Sequence, residues 1–411
     1  MNAIKSFIIK SFHALFSIML LFMAACNEYE HSPVSKDGKA PPPVSHPVAE
    51  SLPGAAKISY QVPADKNFLY VRAQAEIRKG VFREAKASYY ANTLVIDGFG
   101  DTREYTVNLY SVGRNGQESA PVSVTVTPHI PPIYSIYESI INSVQETFGG
   151  IRFTVENPSK ADVRIYVNTP DSLGIPVNAE IFYTSAMKNT FSVRGFDTTP
   201  RPFSIYVQDR WGNTSDTYVN VFQPWYEVRL DKTKHRGIQL PGDNTNNIYS
   251  GRPVTNLWDE QYSDSRAFNI NPGTKAMPIS FTMDLGVKVA LSRVIVHGRV
   301  NSSNTYLYNG GMPKEWEIFG AMEYDVDGSW DNWVPLRAPC ESYKPSGLEL
   351  GTANNEDYQR QVDGEEFEFD IDIPHVRYLR WNVTKVWGGP SITFFIIAEA
   401  TFFGNVIETY R

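Results

Sequence analysis

The sequence predicts an all-β protein of several domains that works outside the cytoplasm, and three observations carry that prediction. Apolar and polar residues alternate along short segments, the period of a half-buried strand rather than of a helix. Aromatic residues are abundant, with 23 Tyr, 23 Phe and 8 Trp among 411 residues. The 27 Pro and 28 Gly are scattered between the alternating segments as turn and loop signals. At 42% hydrophobic and 20% charged, the chain is neither disordered nor fibrous. Its 45 acidic against 38 basic side chains give a net charge of −7. A sequence-independent nucleic-acid binder needs a basic surplus to displace counterions from phosphates, so no nucleic-acid partner is expected. Two cysteines exclude a disulfide scaffold and a four-cysteine zinc site.

Residues 1–25 read as a secretory signal, with Lys5 and Lys10 ahead of an apolar run from Ala14 to Met23 that is too short to span a bilayer. The following Met23-Ala24-Ala25-Cys26 resembles a bacterial lipobox, which implies cleavage before Cys26 and lipid on its sulfur. Several acyl chains, each CH₂ contributing about 0.8 kcal/mol on burial, would make the membrane a durable partner. Glu28 and Glu30 resemble the export signal of surface lipoproteins in Bacteroides-type bacteria, which implies a lipid-anchored, outward-facing place on the outer membrane. With Cys26 lipidated, Cys340 has no partner, and no neighbouring His or basic cluster lowers its pKa, so it reads as structural. Residues 26–52 read as a linker, where Pro33, Pro41-Pro42-Pro43 and Pro47 stiffen a polar stalk.

The unit at 53–128 shows the clearest strand: along 69–78 every odd-numbered residue is apolar and the even-numbered ones are mostly polar. Tyr105, Val107 and Leu109 repeat the pattern before the Arg114-Asn115-Gly116 turn, and Val122, Val124 and Val126 close the unit. The same order recurs at 129–228, with Phe203, Ile205 and Val207, the turn from Asp209 to Ser215, and a closing strand at 218–221. An aromatic-initiated strand, a Gly turn followed by Ser and a Val-rich last strand resemble fibronectin type III modules, which implies two Greek-key sandwiches serving as spacers or docking surfaces. Trp211, in the second turn, reads as a packing residue or an exposed ligand platform.

After Trp225 the texture changes, and strand candidates lie at 280–285, 291–297, 315–319, 366–371, 376–383 and 394–403. Several pieces stand in order: Asn256-Leu257-Trp258-Asp259, Phe281-Thr282-Met283-Asp284-Leu285-Gly286, the strand from Leu291 to Arg299, Trp316-Glu317-Ile318-Phe319-Gly320 with Gly328-Ser329-Trp330, Val376-Arg377-Tyr378-Leu379-Arg380, and Ala398-Glu399-Ala400-Thr401-Phe402-Phe403-Gly404. Together they resemble the discoidin, or coagulation-factor C-type, domain, whose jelly roll also underlies the family-32 carbohydrate-binding modules. The resemblance implies a galactose-binding-like jelly roll over 229–411. Trp258, Trp316 and Trp381 belong to its motifs and are expected in the core. The run 363–372 alternates acids with Phe367, Phe369 and Ile371 and reads as a strand with one solvated acidic face.

Enzyme signatures are missing: there is no Gly-x-Ser-x-Gly elbow, phosphate-binding Gly-rich loop or His-Glu-x-x-His. Sugar recognition instead needs an aromatic face for the C–H side of a pyranose and polar groups for its hydroxyls. The resemblance places the ligand on loops at one end of the barrel, here the stretch 299–309 and Trp387-Gly388-Gly389. Arg299 and Asn301 would grip hydroxyls, and Tyr306, Tyr308 or Trp387 would stack, while His297 reads as structural. No cofactor is required, but the resembled modules often carry a structural calcium, and Asp259 and Glu399 occupy the matching positions. Glu260 stands where that loop usually has Gly. The expectation is a non-enzymatic surface lipoprotein that binds a glycan or polysaccharide beside an outer-membrane importer complex. A protein-binding or adhesion module is the alternative, and a divergent glycosidase a third reading that demands two carboxyls facing each other in one cleft.

Overall fold

The computed structural model describes residues 38–245, 248–249, 251–273, 277–300, 305–389 and 391–410. The signal segment, Cys26, the first part of the linker and Asn301 lie outside the described residues. The chain forms two compact units: one holds the residues up to 136 with 159–163 and 207–215, the other 137–158, 164–206 and everything from 216 onward. Among the described residues no helix is long and apolar enough to cross a membrane.

Seven strands build the first sandwich: β1 (Ser45–Leu52), β2 (Ala55–Gln61), β3 (Phe68–Arg78), β4 (Val81–Ser88), β5 (Thr93–Asp97), β6 (Tyr105–Gly113) and β7 (Val122–Val126). They pair as β1-β2-β5 and β4-β3-β6-β7, two antiparallel sheets facing one core. The alternation along β3 is realised, with Val71, Ala73, Ala75 and Ile77 buried and Arg72 outside, donating to Glu118 and Glu84 at 2.6 and 2.8 Å. One expectation needs correction. The linker ends before residue 44, because Val44 is buried and 45–52 form β1 rather than a stalk. Prolines are tolerated there for a physical reason: β1 is an edge strand, and Pro47 sits where the register with β2 shifts, so no ladder hydrogen bond is lost.

A helix that the proline signals concealed, α1 (Pro132–Ile141), follows. Proline suits a first helical turn because its missing N–H has no intrahelical partner there. Ile133, Ile136 and Ile140 form its buried stripe. The next seven strands are β8 (Gln145–Thr147), β9 (Gly150–Glu156), β10 (Val163–Pro170), β11 (Pro176–Thr184), β12 (Lys188–Val193), β13 (Arg201–Asp209) and β14 (Tyr218–Phe222). Their order, β12-β9-β8 and β11-β10-β13-β14, repeats that of the first seven strand for strand. In the turn after β13, Trp211 packs under the backbone of Gly98, and Arg78 donates to the carbonyls of Trp211 and Gly212 at 2.6 and 2.7 Å. That turn is a packing element.

The C-terminal domain is built on a nine-stranded sheet. Its strands are β15 (Val228–Arg229), β16 (Arg236–Ile238), β18 (Ile279–His297), β19 (Pro313–Ala321), β20 (Val334–Pro335), β21 (Cys340–Glu341), β22 (Glu365–Glu368), β23 (Val376–Val386) and β25 (Glu399–Thr409), while β17 (Phe268–Ile270) pairs with β24 (Phe395–Ile397). A helix, α2 (Asn355–Asp363), precedes β22. The strands expected at 280–285 and 291–297 are one, β18, which turns at Gly286. That residue has φ +71°, and an added Cβ would meet the carbonyl oxygen of Lys234 at 2.7 Å, so only glycine fits. Asp284 fixes the turn by accepting from Gly286 N at 2.7 Å and from Arg377 at 2.9 and 2.7 Å. Trp258, Trp316 and Trp381 lie in the core with Phe281 and Phe395. The acidic face of 363–372 is not simply solvated. Glu368 accepts from Arg194 at 2.9 Å, Glu366 from Arg293 at 2.7 Å, and Glu227 lies between the two arginines at 3.3 and 3.0 Å.

Candidate functional site

Four of the five expected ligand residues, the described ones, come together at one end of the jelly roll, but two of them, Arg299 and Tyr308, do other work than expected. Arg299 follows β18 and is 6% exposed. Its guanidinium donates to Asp264 and to the carbonyl of Gly310, each at 2.8 Å, and lies 3.9 Å from the centroid of the Tyr306 ring. With these donors committed, Arg299 staples the 305–312 loop to the barrel instead of gripping a ligand. Tyr308 is fully buried, packed with Leu307 and Met312, and so presents no face for stacking. Tyr306 is 37% exposed and keeps the ring face opposite Arg299. Trp387, half-buried, stands perpendicular to Tyr308 with ring centroids 5.4 Å apart. The loop closes on it through backbone hydrogen bonds, Gly311 N to Trp387 O at 2.9 Å and Trp387 N to Met312 O at 2.7 Å. Gly311, at φ +88°, lies so near Phe394 that a Cβ would approach its ring to 2.5 Å.

This packing leaves a cleft of about 530 Å³ beside Trp387, at the ends of β19 and β23. Met277, Leu350, Val386 and Ile392 give it apolar walls, and Lys314, Thr384 and Lys385 its polar groups. Lys314 Nζ stands 4.7 Å from the centroid of the Trp387 ring, and Lys385 is held by Glu315 at 2.7 Å. Sequence reading missed Lys314 for a physical reason. Strict alternation puts it on the same strand face as Trp316, but the register with β23 is irregular on both sides of Glu315, so the parity of Trp316 does not carry over to the lysine. A lysine at a position of core parity was the available signal.

The two acids expected to hold calcium are both paired with basic side chains. Glu399 is 0% exposed, and its carboxylate accepts from the ammonium of Lys232, whose side chain is only 8% exposed. Lys232 Nζ also lies 3.2 Å from Glu260, which is paired with Arg229. Asp259 is taken by Arg266 at 2.7 Å. Three acids therefore meet three basic side chains, and among the described residues no three or more of His, Cys, Asp and Glu converge on a metal position. The residues do not fit the ion, because an ammonium already supplies the positive charge that Glu399 faces. Burial pushes the Glu399 carboxyl up to about 7 despite Lys232.

Two structural expectations agree with their surroundings. Cys340 is fully buried, and burial pushes its thiol up to about 12, far from the thiolate a nucleophile needs. His297 is buried against Tyr262, with Nδ1 3.3 Å from the carbonyl of Gln361, and burial lowers its pKa.

Three family models match the chain in succession, each described as a domain of unknown function: DUF4959 over residues 41–128, DUF5126 over 129–233 and DUF5000 over 258–404. Among solved structures, the chain is similar to the SusE-like protein BT2857 of Bacteroides, at 32% identity across 66% of this chain and 98% of that one, with a TM-score of 0.44. CBM32-3 from a family 31 glycoside hydrolase of Clostridium perfringens is 17% identical across 43% of this chain and 95% of its own, with a TM-score of 0.32. A two-domain fibronectin type III segment of chicken tenascin is 14% identical across 44% and 99%, with a TM-score of 0.20. No curated protein matches the chain.

Proposed function

The chain belongs to the family of SusE-like proteins, and on that premise we propose that it is a non-catalytic glycan-binding lipoprotein of the cell surface, auxiliary to an outer-membrane polysaccharide importer. Lipid on Cys26 anchors it, the two sandwiches act as spacers, and the C-terminal jelly roll carries the ligand. The observation that supports this reading best is the cleft beside Trp387. Its volume of about 530 Å³ suits one or two sugar rings, its walls are largely apolar, and an indole forms part of its lining. Stacking of a pyranose C–H face on an aromatic ring, with a few polar groups around it, is the chemistry such a surface offers. Tyr306, with one ring face open, extends the same end of the barrel. Glycoside cleavage needs two carboxyls about 5–9.5 Å apart across the scissile bond. Among the described residues lining this cleft there is no Asp or Glu, which favours binding over catalysis.

The test is a polysaccharide binding screen on the intact chain, wild type beside Trp387→Ala and Tyr306→Ala, with circular dichroism and thermal melting to verify the fold. The expected result is saturable binding to at least one polysaccharide, weakened at least about tenfold by Trp387→Ala. A folded wild-type protein that binds no glycan refutes the proposal and moves weight to the adhesion reading.

A further inference from the structure

We propose that the Trp387 cleft selects an anionic saccharide, one bearing a carboxylate or a sulfate ester, through the ammonium of Lys314. The proposal rests on the glycan reading above and names its ligand class. Lys314 is half-buried at the start of β19, with Nζ over the Trp387 ring at 4.7 Å. No carboxylate among the described residues pairs with it, whereas Lys385, across the cleft rim, is already paired with Glu315. Among the described residues the lining thus holds two lysines and no acid, on a chain whose net charge is −7. This is a local reversal of sign at the place where an indole is offered.

The position of Lys314 decides between neutral and charged sugars. A neutral ring that stacks on the covered face of Trp387 must push the ammonium off the indole, which forfeits a cation–π contact and offers only a neutral hydroxyl acceptor in exchange. An anionic ring can lay its C–H face on the indole while its carboxylate or sulfate takes the displaced ammonium in a short, charge-assisted hydrogen bond. Lysine suits this task, being a point charge on a flexible stem that moves aside and still reaches the anion. Met277, Leu350 and Ile392 line the flanks with apolar side chains, which suit the C–H edges of the ring.

The experiment is native affinity electrophoresis of the intact chain in gels containing polygalacturonate, chondroitin sulfate or neutral dextran, backed by calorimetric titration with the corresponding oligosaccharides. Wild type is compared with Lys314→Met, Lys314→Arg and Trp387→Ala. The expected result is retention by an anionic polymer, with the uronate and sulfate gels telling which anion is read. Lys314→Met weakens that binding at least about tenfold, Lys314→Arg keeps it within about threefold, and added salt weakens the wild type more than Lys314→Met. Lys314→Met binding anionic polymers as tightly as wild type overturns the proposal. So does wild-type preference for dextran that Trp387→Ala abolishes, although that result leaves the glycan reading standing. Retention by none of the three polymers overturns this proposal, and failure in the wider screen as well would sink the glycan reading itself.

Discussion

Replacing Lys232 by methionine keeps the aliphatic stem and removes the one ammonium that faces Glu399. The carboxylate is 0% exposed and the lysine side chain 8%, so the charge left behind has no water to turn to. Breaking a buried pair by deleting one partner costs about 3–5 kcal/mol, because the survivor remains desolvated and uncompensated. For a domain of this size each kcal/mol moves the unfolding temperature by about 2–4 °C, which gives an expected drop of about 6–20 °C at an alkaline pH that keeps Glu399 ionised. Acid should narrow the gap. Glu399 has a raised pKa in the folded protein, about 7 against an ordinary 4.5, so the stability linked to its protonation is full below about 4.5 and lost as pH rises through 7. Without Lys232 the carboxyl titrates higher still, and at pH 5 the variant's Glu399 is neutral and tolerates burial. The double variant Lys232→Met/Glu399→Leu should recover most of the loss at that alkaline pH, since it buries no charge at all. Differential scanning calorimetry of wild type and both variants, with and without EDTA, measures all of this. A single variant that melts within about 2 °C of wild type would refute the buried-pair argument. A wild-type unfolding temperature that EDTA lowers would refute the conclusion that the ammonium stands in for a metal ion.

Two further predictions concern the same domain. His235 is 5% exposed, its Nδ1 lies 3.2 Å from the carbonyl of Leu285, and burial depresses its pKa to about 4 from 6.5. A depressed histidine contributes stability that is present above pH 6.5 and lost as pH falls through about 4; a shift of that size corresponds to roughly 3 kcal/mol. His235→Gln should therefore flatten the fall in unfolding temperature between pH 6.5 and 4, and a slope equal to that of wild type would contradict the assignment. Arg299→Leu removes two charge-assisted hydrogen bonds to Asp264 and Gly310, at a cost of about 1.5–3 kcal/mol apiece before the loop relaxes. It should speed chymotryptic cleavage within 305–312 severalfold while the rest of the domain stays resistant; unchanged cleavage would mean that Arg299 does not hold the loop.

The strands themselves were largely legible in the sequence. Alternation along 69–78, 105–109 and 203–207 translates directly into buried and exposed faces, because the side-chain period of a strand is two whatever it packs against. The strand motif from Phe281 to Gly286 lies in β18, and the tryptophans of the motifs fell in the core. Legibility ended where neighbours distant in sequence decide the outcome. Prolines around 41–53 suggested a stalk, yet an edge strand tolerates them once β2 lies alongside. The acidic run at 363–372 read as a wet face until Arg194 and Arg293 arrived from elsewhere in the chain.

The loop site divides along the same line. From the sequence came arginine, tyrosines and a tryptophan in the stretches 299–309 and 387–389, and a resemblance to discoidin-like domains that implies loops at one end of the barrel. Only the tertiary structure decided their tasks. Asp264 claimed Arg299, Leu307 and Met312 enclosed Tyr308, and the irregular pairing of β19 with β23 left Lys314 over Trp387. Lys232 likewise reached Glu399 across 167 positions of sequence and took the place expected for a cation. Strand periodicity is a property of the local backbone, whereas the partner of a charge is set by whichever opposite charge the fold carries within about 4 Å.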